Sequence, residues 1–352
     1  MAIEFESLLG LLEQLISIPS FSREEASAAD CLWTWMKHQG LEPQRIGNNI
    51  WLSASDDGED KPVIMLNAHI DTVRPASSYT RDPFKPVVED GKLYGLGSND
   101  DGGSLIALLA TYLELINRPQ PYRLIYSATA EEEVSGKGGI ENIVPAIGNI
   151  DLGVIGEPTG MNMAVAEKGL MVLDCNSYGK SGHAARNEGI NAIYKALPEI
   201  EWFRTHQFEK VSPFLGPVKM TVTQINAGTQ HNVVPDKCTF VVDVRPNGMY
   251  TNVELLEEIK KSVGCEVNAR STRLGSSHID EQHPIVQKGL TMGLKPFGSP
   301  TTSNQALTAF TTIKIGPGDS ARSHSADEYI GIDEIKSAIG IYVKILDGLK
   351  IK

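Results

Sequence analysis

Apolar positions recur at helical spacing over residues 5–18 and again over 24–38, which predicts two amphipathic helices. The texture then changes. "VIMLNAH" (63–69) is a short apolar run that fits a strand buried on both faces. "YGLGSNDDGGSLIALLATYLELI" leads from a Gly-rich loop into a long apolar helix beginning at Ser104. "RLIYSAT" (123–129) and "DLGVIGEP" (151–158) predict a second and a third buried strand. Strands alternating with helices specify an α/β layer around a mixed, largely parallel sheet.

After about residue 167 the pattern alternates. "LMVLDCNSYGKSG" has the period of a half-exposed strand, and a helix follows over roughly 189–205. "VKMTVTQINAG" and "KCTFVVDVRP" predict antiparallel strands, "NVELLEEIKKSV" a helix and "CEVNARSTR" a last strand. Strand–helix–strand–strand–helix–strand describes a small α+β domain. The α/β pattern resumes near residue 283, with the strand "FTTIKIGPG" and a closing helix over 332–348. The expected organisation is a first segment over 1–167, an inserted domain over 168–280 and a second segment over 281–352.

A chain of 352 residues is long for one core and suits two domains. The net charge of −12 argues against a nucleic-acid surface, which needs basic patches. No run approaches the roughly 20 apolar residues of a membrane helix. The first twenty residues carry Glu4, Glu6 and Glu13 and no basic cluster, so they read as a helix rather than a signal peptide. Cys31, Cys175, Cys238 and Cys265 are scattered and form no CxxC pair; free thiols in a reducing cytoplasm are expected.

In an open α/β sheet, ligands bind beyond the carboxyl ends of the strands. His69 and Asp71 follow the first buried run, and Asp100 and Asp101 sit in the Gly-rich loop. Glu131, Glu132 and Glu133 follow the second run, Glu157 the third, and His324 and Asp327 the last. Taken singly, each has an ordinary reading. His-x-Asp suits an exposed ion pair, three glutamates suit a helix start, and Glu157 before Pro158 suits a turn. "GLGSNDDGG" lacks the Lys-Ser/Thr of a phosphate loop and the GxGxxG spacing. Together, each behind a predicted strand, they point to a metal site. Two imidazoles and several carboxylates without thiolates suit zinc or a related divalent ion. A bridging carboxylate would hold two ions about 3.5–4 Å apart. A glutamate that is not a ligand could then move protons. His38, His206, His278 and His283 lie outside these loops and are expected to be surface or helix-end residues.

The chain resembles the co-catalytic zinc hydrolases that include acetylornithine deacetylase, succinyl-diaminopimelate desuccinylase, aminoacylase and carboxypeptidase G. The resemblance runs through "NAHIDTV", "LYGLGSNDDGGS", "SATAEEE", "VIGEPTG", "GKSGHAA", "GTQHNVVPD", "DVRPN" and "SHSADEY". It implies two zinc ions, with cobalt or manganese as substitutes. His69, Asp100 and Glu157 would hold one ion, and Asp100, Glu133 and His324 the other. It further implies Asp71 as the residue that orients His69 and Glu132 as general base; Glu131 would be structural. His183 would reach a partner subunit's site and stabilise the oxyanion, which implies a homodimer built through the inserted domain. Asn232 and Arg245 would contact a substrate carboxylate. The implied substrate is an N-acyl-L-amino acid, foremost N-acetyl- or N-succinyl-L-ornithine or the citrulline analogue, in arginine synthesis. A succinyl-diaminopimelate desuccinylase, a dipeptidase or a binding protein that has lost the chemistry are the alternatives. The sequence departs from the family at Asp101, Gly102 and Gly103, where an apolar residue, Lys and Gly are usual, and at Asn304, where Asp is frequent.

Overall fold

The computed structural model describes residues 4–54 and 60–351. The chain divides into two compact units. The first comprises Met1–Val165, His278–Phe297 and Ser303–Lys352, and the second Ala166–Ser277 with Gly298–Thr302.

Four parallel strands form the heart of the first unit. Arg123–Thr129, Val63–His69, Leu152–Ile155 and Thr312–Lys314 lie side by side in that order. Every residue of Val63–His69 is buried, as an apolar run flanked by strands on both sides requires. The register pairs His69 with Thr129 and Asn67 with Ile155, so the first two strands end level and the third ends two residues earlier on the same edge. The helix Gly103–Leu115 is buried almost all round and packs against Phe5–Ile16 and the closing helix Ile332–Leu346.

The mixed character of the sheet comes partly from a hairpin that the sequence reading passed over. Gln44–Ile46 and Asn49–Ser53 pair antiparallel, and the latter continues antiparallel onto Arg123–Thr129. Ile46 faces Asn49, leaving Gly47 and Asn48 as a two-residue turn with Gly47 at φ 59°. Gly-Asn between two apolar runs is a hairpin signal. It was legible but short. Among the described residues, no helix is long and apolar enough to cross a membrane.

The second unit is a four-stranded antiparallel sheet in the order Lys219–Ala227, Lys237–Arg245, Met171–Tyr178, Glu266–Ala269. Burial alternates strictly along Met171–Tyr178 and Lys237–Arg245. The inward set, including Leu173, Cys175, Phe240 and Val242, packs on Phe203, Leu255 and Ile259 of the helices Ala192–Thr205 and Asn252–Ser262. One helix-covered face and one open face follow from that period of two. Residues 298–302 join this unit because Ser299 O accepts from Lys168 N at 3.0 Å and Thr302 Oγ1 donates to Lys168 O at 3.0 Å. No local sequence pattern announces that return.

Candidate metal centre

The neighbouring strand ends of the first unit gather the polar loops into one cluster. His69 is the last residue of its strand and is 2% exposed. Its Nε2 lies 3.1 Å from Asp100 Oδ1 and 3.9 Å from Glu132 Oε2. His324 Nε2 lies 2.9 Å from Glu133 Oε2 and 3.9 Å from Asp100 Oδ2. Asp100 therefore turns one oxygen toward each imidazole. Donor atoms of His69, Glu132 and Glu157 fall within 4.8 Å of one another, as do those of His69, Asp100 and Glu133.

Asp101 behaves differently from its neighbour, to which a cis peptide joins it. It is 1% exposed, accepts weakly from His69 N–H at 3.4 Å through Oδ2, and among the described residues has no hydrogen-bond partner at Oδ1. Its carboxylate lies under the His69 main chain, while that of Asp100 faces the imidazoles. Burial pushes Asp101 up to about 7.

The electrostatics favour a cation. Burial first, then the neighbouring carboxylates, raise Glu132 and Glu157 well above the usual carboxylate range; burial likewise raises Glu133. Burial alone would lower His69, but hydrogen bonds with Asp100 and Asp71 raise it well above its ordinary value. The Glu133 hydrogen bond lifts His324 to about 9. Buried carboxylates that resist ionisation beside imidazoles that retain protons are a donor set short of positive charge. Nitrogen and carboxylate oxygen donors without thiolates fit divalent zinc, manganese or cobalt. The residues present thus fit a metal centre.

The loops are held by buried carboxylates that clasp main-chain N–H groups. Asp71 is 1% exposed and accepts from Glu132 N at 3.0 Å, Glu133 N at 3.1 Å and Ser22 Oγ at 2.7 Å. It also faces His69 Nδ1, through its main-chain oxygen at 2.9 Å and its carboxylate at 3.5 Å. Burial opposes its charge, yet the His69 contacts and these donors keep it below its ordinary value. One side chain thereby couples His69 to the two glutamates. Asp71→Asn should weaken metal affinity or turnover by roughly 10- to 100-fold, because the amide replaces an acceptor with a donor facing an N–H. Metal titration of the folded variant checks this; wild-type affinity and turnover would contradict it.

Two further clasps carried no assignment in the sequence. Glu25 is fully buried at the N-cap of Ala26–His38 but makes no cap bond. Its carboxylate accepts from Arg23 N at 2.5 Å, Glu131 N at 3.2 Å and Asn48 Nδ2 at 3.1 Å. Glu328, in "SHSADEY", clasps the Asp100 loop. Glu131 sits at φ 57°, and its carboxylate packs on Gly136 and Gly138, where a Cβ would collide with it. Asp327 turns away from the cluster to accept from Thr80 N and Arg81 N, each at 2.9 Å.

Asn304 lies beneath the strand ends. Its amide donates to Asn67 Oδ1 and Thr129 Oγ1, both at 3.1 Å. Asn67 Oδ1 can only accept, so an ionised aspartate at 304 would set two acceptors against each other there.

His183, Asn232 and Arg245 belong to the second unit. His183 is exposed; it pairs with Val233, and Ala184 N donates to Asn232 O at 3.0 Å, so His183 and Asn232 share one loop cluster. Arg245 donates Nε and Nη2 to Asp243 at 2.7 and 3.0 Å, which leaves Nη1 facing Thr302 Oγ1 at 3.4 Å. The sequence reading left out that pairing, although residues two apart share one face of a strand. His206 stacks on Trp202, and His283 caps Pro284–Thr291.

The donor set fits the class of metal-dependent hydrolases. Residues 65–348 match peptidase family M20/M25/M40, and the chain belongs to that family. It is 26% identical over 379 residues to a succinyl-diaminopimelate desuccinylase of Delftia acidovorans, covering 97% of this chain and 98% of the relative. It is 27% identical over 367 residues to an acetylornithine deacetylase of Shigella sonnei, covering 94% and 95%. Among solved structures it resembles a Staphylococcus aureus tripeptidase, with a TM-score of 0.78 at 19% identity over 98% of both chains. It also resembles a Bacillus subtilis protein described as a dinuclear metal-binding peptidase of the M20 family, with a TM-score of 0.73 at 15% identity over 97% of both chains.

Proposed function

We propose that this enzyme hydrolyses the amide of an N-acyl-L-amino acid, with N-acetyl- or N-succinyl-L-ornithine, or the citrulline analogue, as the leading substrates and arginine synthesis as the setting. The single observation behind a two-metal site is Asp100, whose two oxygens face two different imidazoles. The acyl-amino-acid reading draws support from full-length relatives named for removing succinyl and acetyl groups. The former keep succinyl-diaminopimelate hydrolysis as the second reading.

His69, Asp100 and Glu157 would hold one ion, and Asp100, Glu133 and His324 the other. Zinc is the leading candidate, with cobalt or manganese as substitutes. Such a pair, when bound, supplies Lewis acidity and lowers the pKa of water. Glu132 takes a proton from the attacking water and returns it to the leaving amine. Asp71 holds the His69 ring and the Glu132–Glu133 main chain in place. Asn232 and Arg245 meet the substrate's carboxylate, for which a guanidinium edge is suited. The four free thiols suit a cytoplasmic enzyme.

The second unit, over 168–280 in the sequence reading, serves in this proposal as dimerisation and lid domain. Among the described residues, Lys219–Ala227 has a neighbour on one side only, and Tyr194, Leu197 and Ile225 are 71%, 53% and 52% exposed. An open edge beside exposed apolar residues suits pairing with a second copy. His183 of that copy then stabilises the oxyanion. Mixing His183→Ala with Glu132→Ala subunits, each inactive alone, should restore about a quarter of wild-type activity if sites are shared across a two-fold. No recovery after verified subunit exchange would place His183 in its own chain's chemistry or outside it.

The substrate test is amine release from N-acetyl-L-ornithine, N-succinyl-L-ornithine and N-succinyl-diaminopimelate, with added zinc and after chelation. Metal-dependent release from one names the acyl group and amino acid. Release from none, with metal bound, would remove acyl-amino-acid hydrolysis and turn attention to dipeptides.

A further inference from the structure

Glu328 is a buried carboxylate that the proposed chemistry does not use. It is 2% exposed, and it faces the loop that carries Asp100. Oε1 accepts from Asn99 N and Asp100 N, both at 2.9 Å, and Oε2 accepts from Gly97 N at 3.1 Å. Its own main-chain oxygen accepts from Gly95 N at 3.0 Å. The loop from Gly95 to Asp100 is therefore fastened to one residue, four positions beyond His324.

A second tie joins the same two segments. Asn99 Nδ2 donates to Asp319 O at 3.1 Å and to Ser323 Oγ at 3.3 Å, and Asn99 Oδ1 accepts from Asp319 N at 3.0 Å. The two ties flank His324 in sequence. Its φ of 56° lies in the left-handed region, sparsely used by non-glycine residues, so its direction depends on what holds the segment at either side.

We infer that Glu328 is a positioning residue that fixes the distance between Asp100 and His324, and hence the ion these two would share; this rests on the two-metal reading above. Three main-chain donors converge on it, so two acceptor oxygens are needed. Glutamine offers one acceptor and turns an NH₂ toward an N–H. Aspartate keeps both acceptors and the charge but falls one methylene short.

Titration of Co²⁺ into chelator-stripped protein, followed by calorimetry and by the visible absorption of bound cobalt, tests this in wild type, Glu328→Asp and Glu328→Gln. Wild type should take two ions. Both variants should bind the ion shared by Asp100 and His324 about 10- to 100-fold more weakly, and the other ion, for which only the placement of Asp100 changes, should weaken less, with the larger change in cobalt absorption on the first ion. A purely structural role would lower the melting temperature of the metal-free variants and leave both affinities unchanged. Wild-type affinities in Glu328→Asp overturn the inference even if Glu328→Gln is impaired, because that pattern reports charge rather than position. Should Glu328→Asp fail to fold, Glu328→Gln decides: equal weakening of both ions, or of neither, overturns it. A folded wild type that binds no ion would instead sink the two-metal reading itself.

Discussion

Glu132→Ala should keep its metal and lose its turnover, with kcat falling roughly 10²- to 10⁴-fold, the range expected for removal of a general base. The prediction discriminates between two roles the geometry allows. Glu132 Oε2 lies 3.9 Å from His69 Nε2, and Glu132 shares a donor cluster with His69 and Glu157. A base in that position leaves ion stoichiometry intact when truncated. A ligand does not. Metal analysis of the purified variant, beside kcat on the best acyl-amino acid, separates the two. Loss of one ion would make Glu132 a ligand, and full turnover would remove it from the chemistry altogether.

The second large effect concerns pH. Metal-free protein should lose stability as pH rises from about 5 to about 9, and divalent metal should flatten that slope. Burial raises Asp101 to about 7 and, with nearby Asp100, Glu328 to about 8, and it raises Glu132, Glu133 and Glu157 above their ordinary values. A carboxyl raised on folding opposes the fold once it must ionise; that penalty is absent below its unfolded value and complete above its folded one. His324, raised to about 9, and His69, also raised, stabilise the fold at low pH, and that contribution fades as pH climbs through their folded values. Both kinds of group push the same way. Asp71 and Asp100 are lowered, so their stabilisation is present above the unfolded value and lost as pH falls. Bound metal needs deprotonated ligands and stabilises only the folded state, by about 4 kcal/mol at a thousand times Kd. The gap in melting temperature between loaded and stripped protein should therefore widen with pH. A gap that stays constant from pH 5 to 9 would mean that these groups are not what the metal discharges.

Much of this is legible in the sequence alone. The strand 123–129 matches residue for residue, and the helix predicted from Ser104 begins one residue earlier. Those elements announce themselves through period and burial, which are local. The ligand candidates were readable for a related reason. Most of them closely follow an apolar run, and parallel strands finish at one edge of their sheet.

The clasps were not readable. Glu25 reaches Glu131 N across 106 positions, and Glu328 reaches Asp100 N across 228. In sequence both look like surface acids near helix ends or turns. Only folding removes them from water and presents them with main-chain donors. The return of residues 298–302 to the second unit is equally silent, since its bonds to Lys168 span more than 130 positions.

The sequence by itself determined the α/β layer, the alternation of the second unit's strands, and which loops would carry the polar residues, because hydrophobic period and strand-end position are properties of neighbouring residues. Tertiary structure alone decided that Asp71 also holds the main chain of Glu132 and Glu133, and that Glu328 fastens the Asp100 loop. These depend on angles and distances between segments far apart in the chain, where a shift of one ångström exchanges a hydrogen bond for a void.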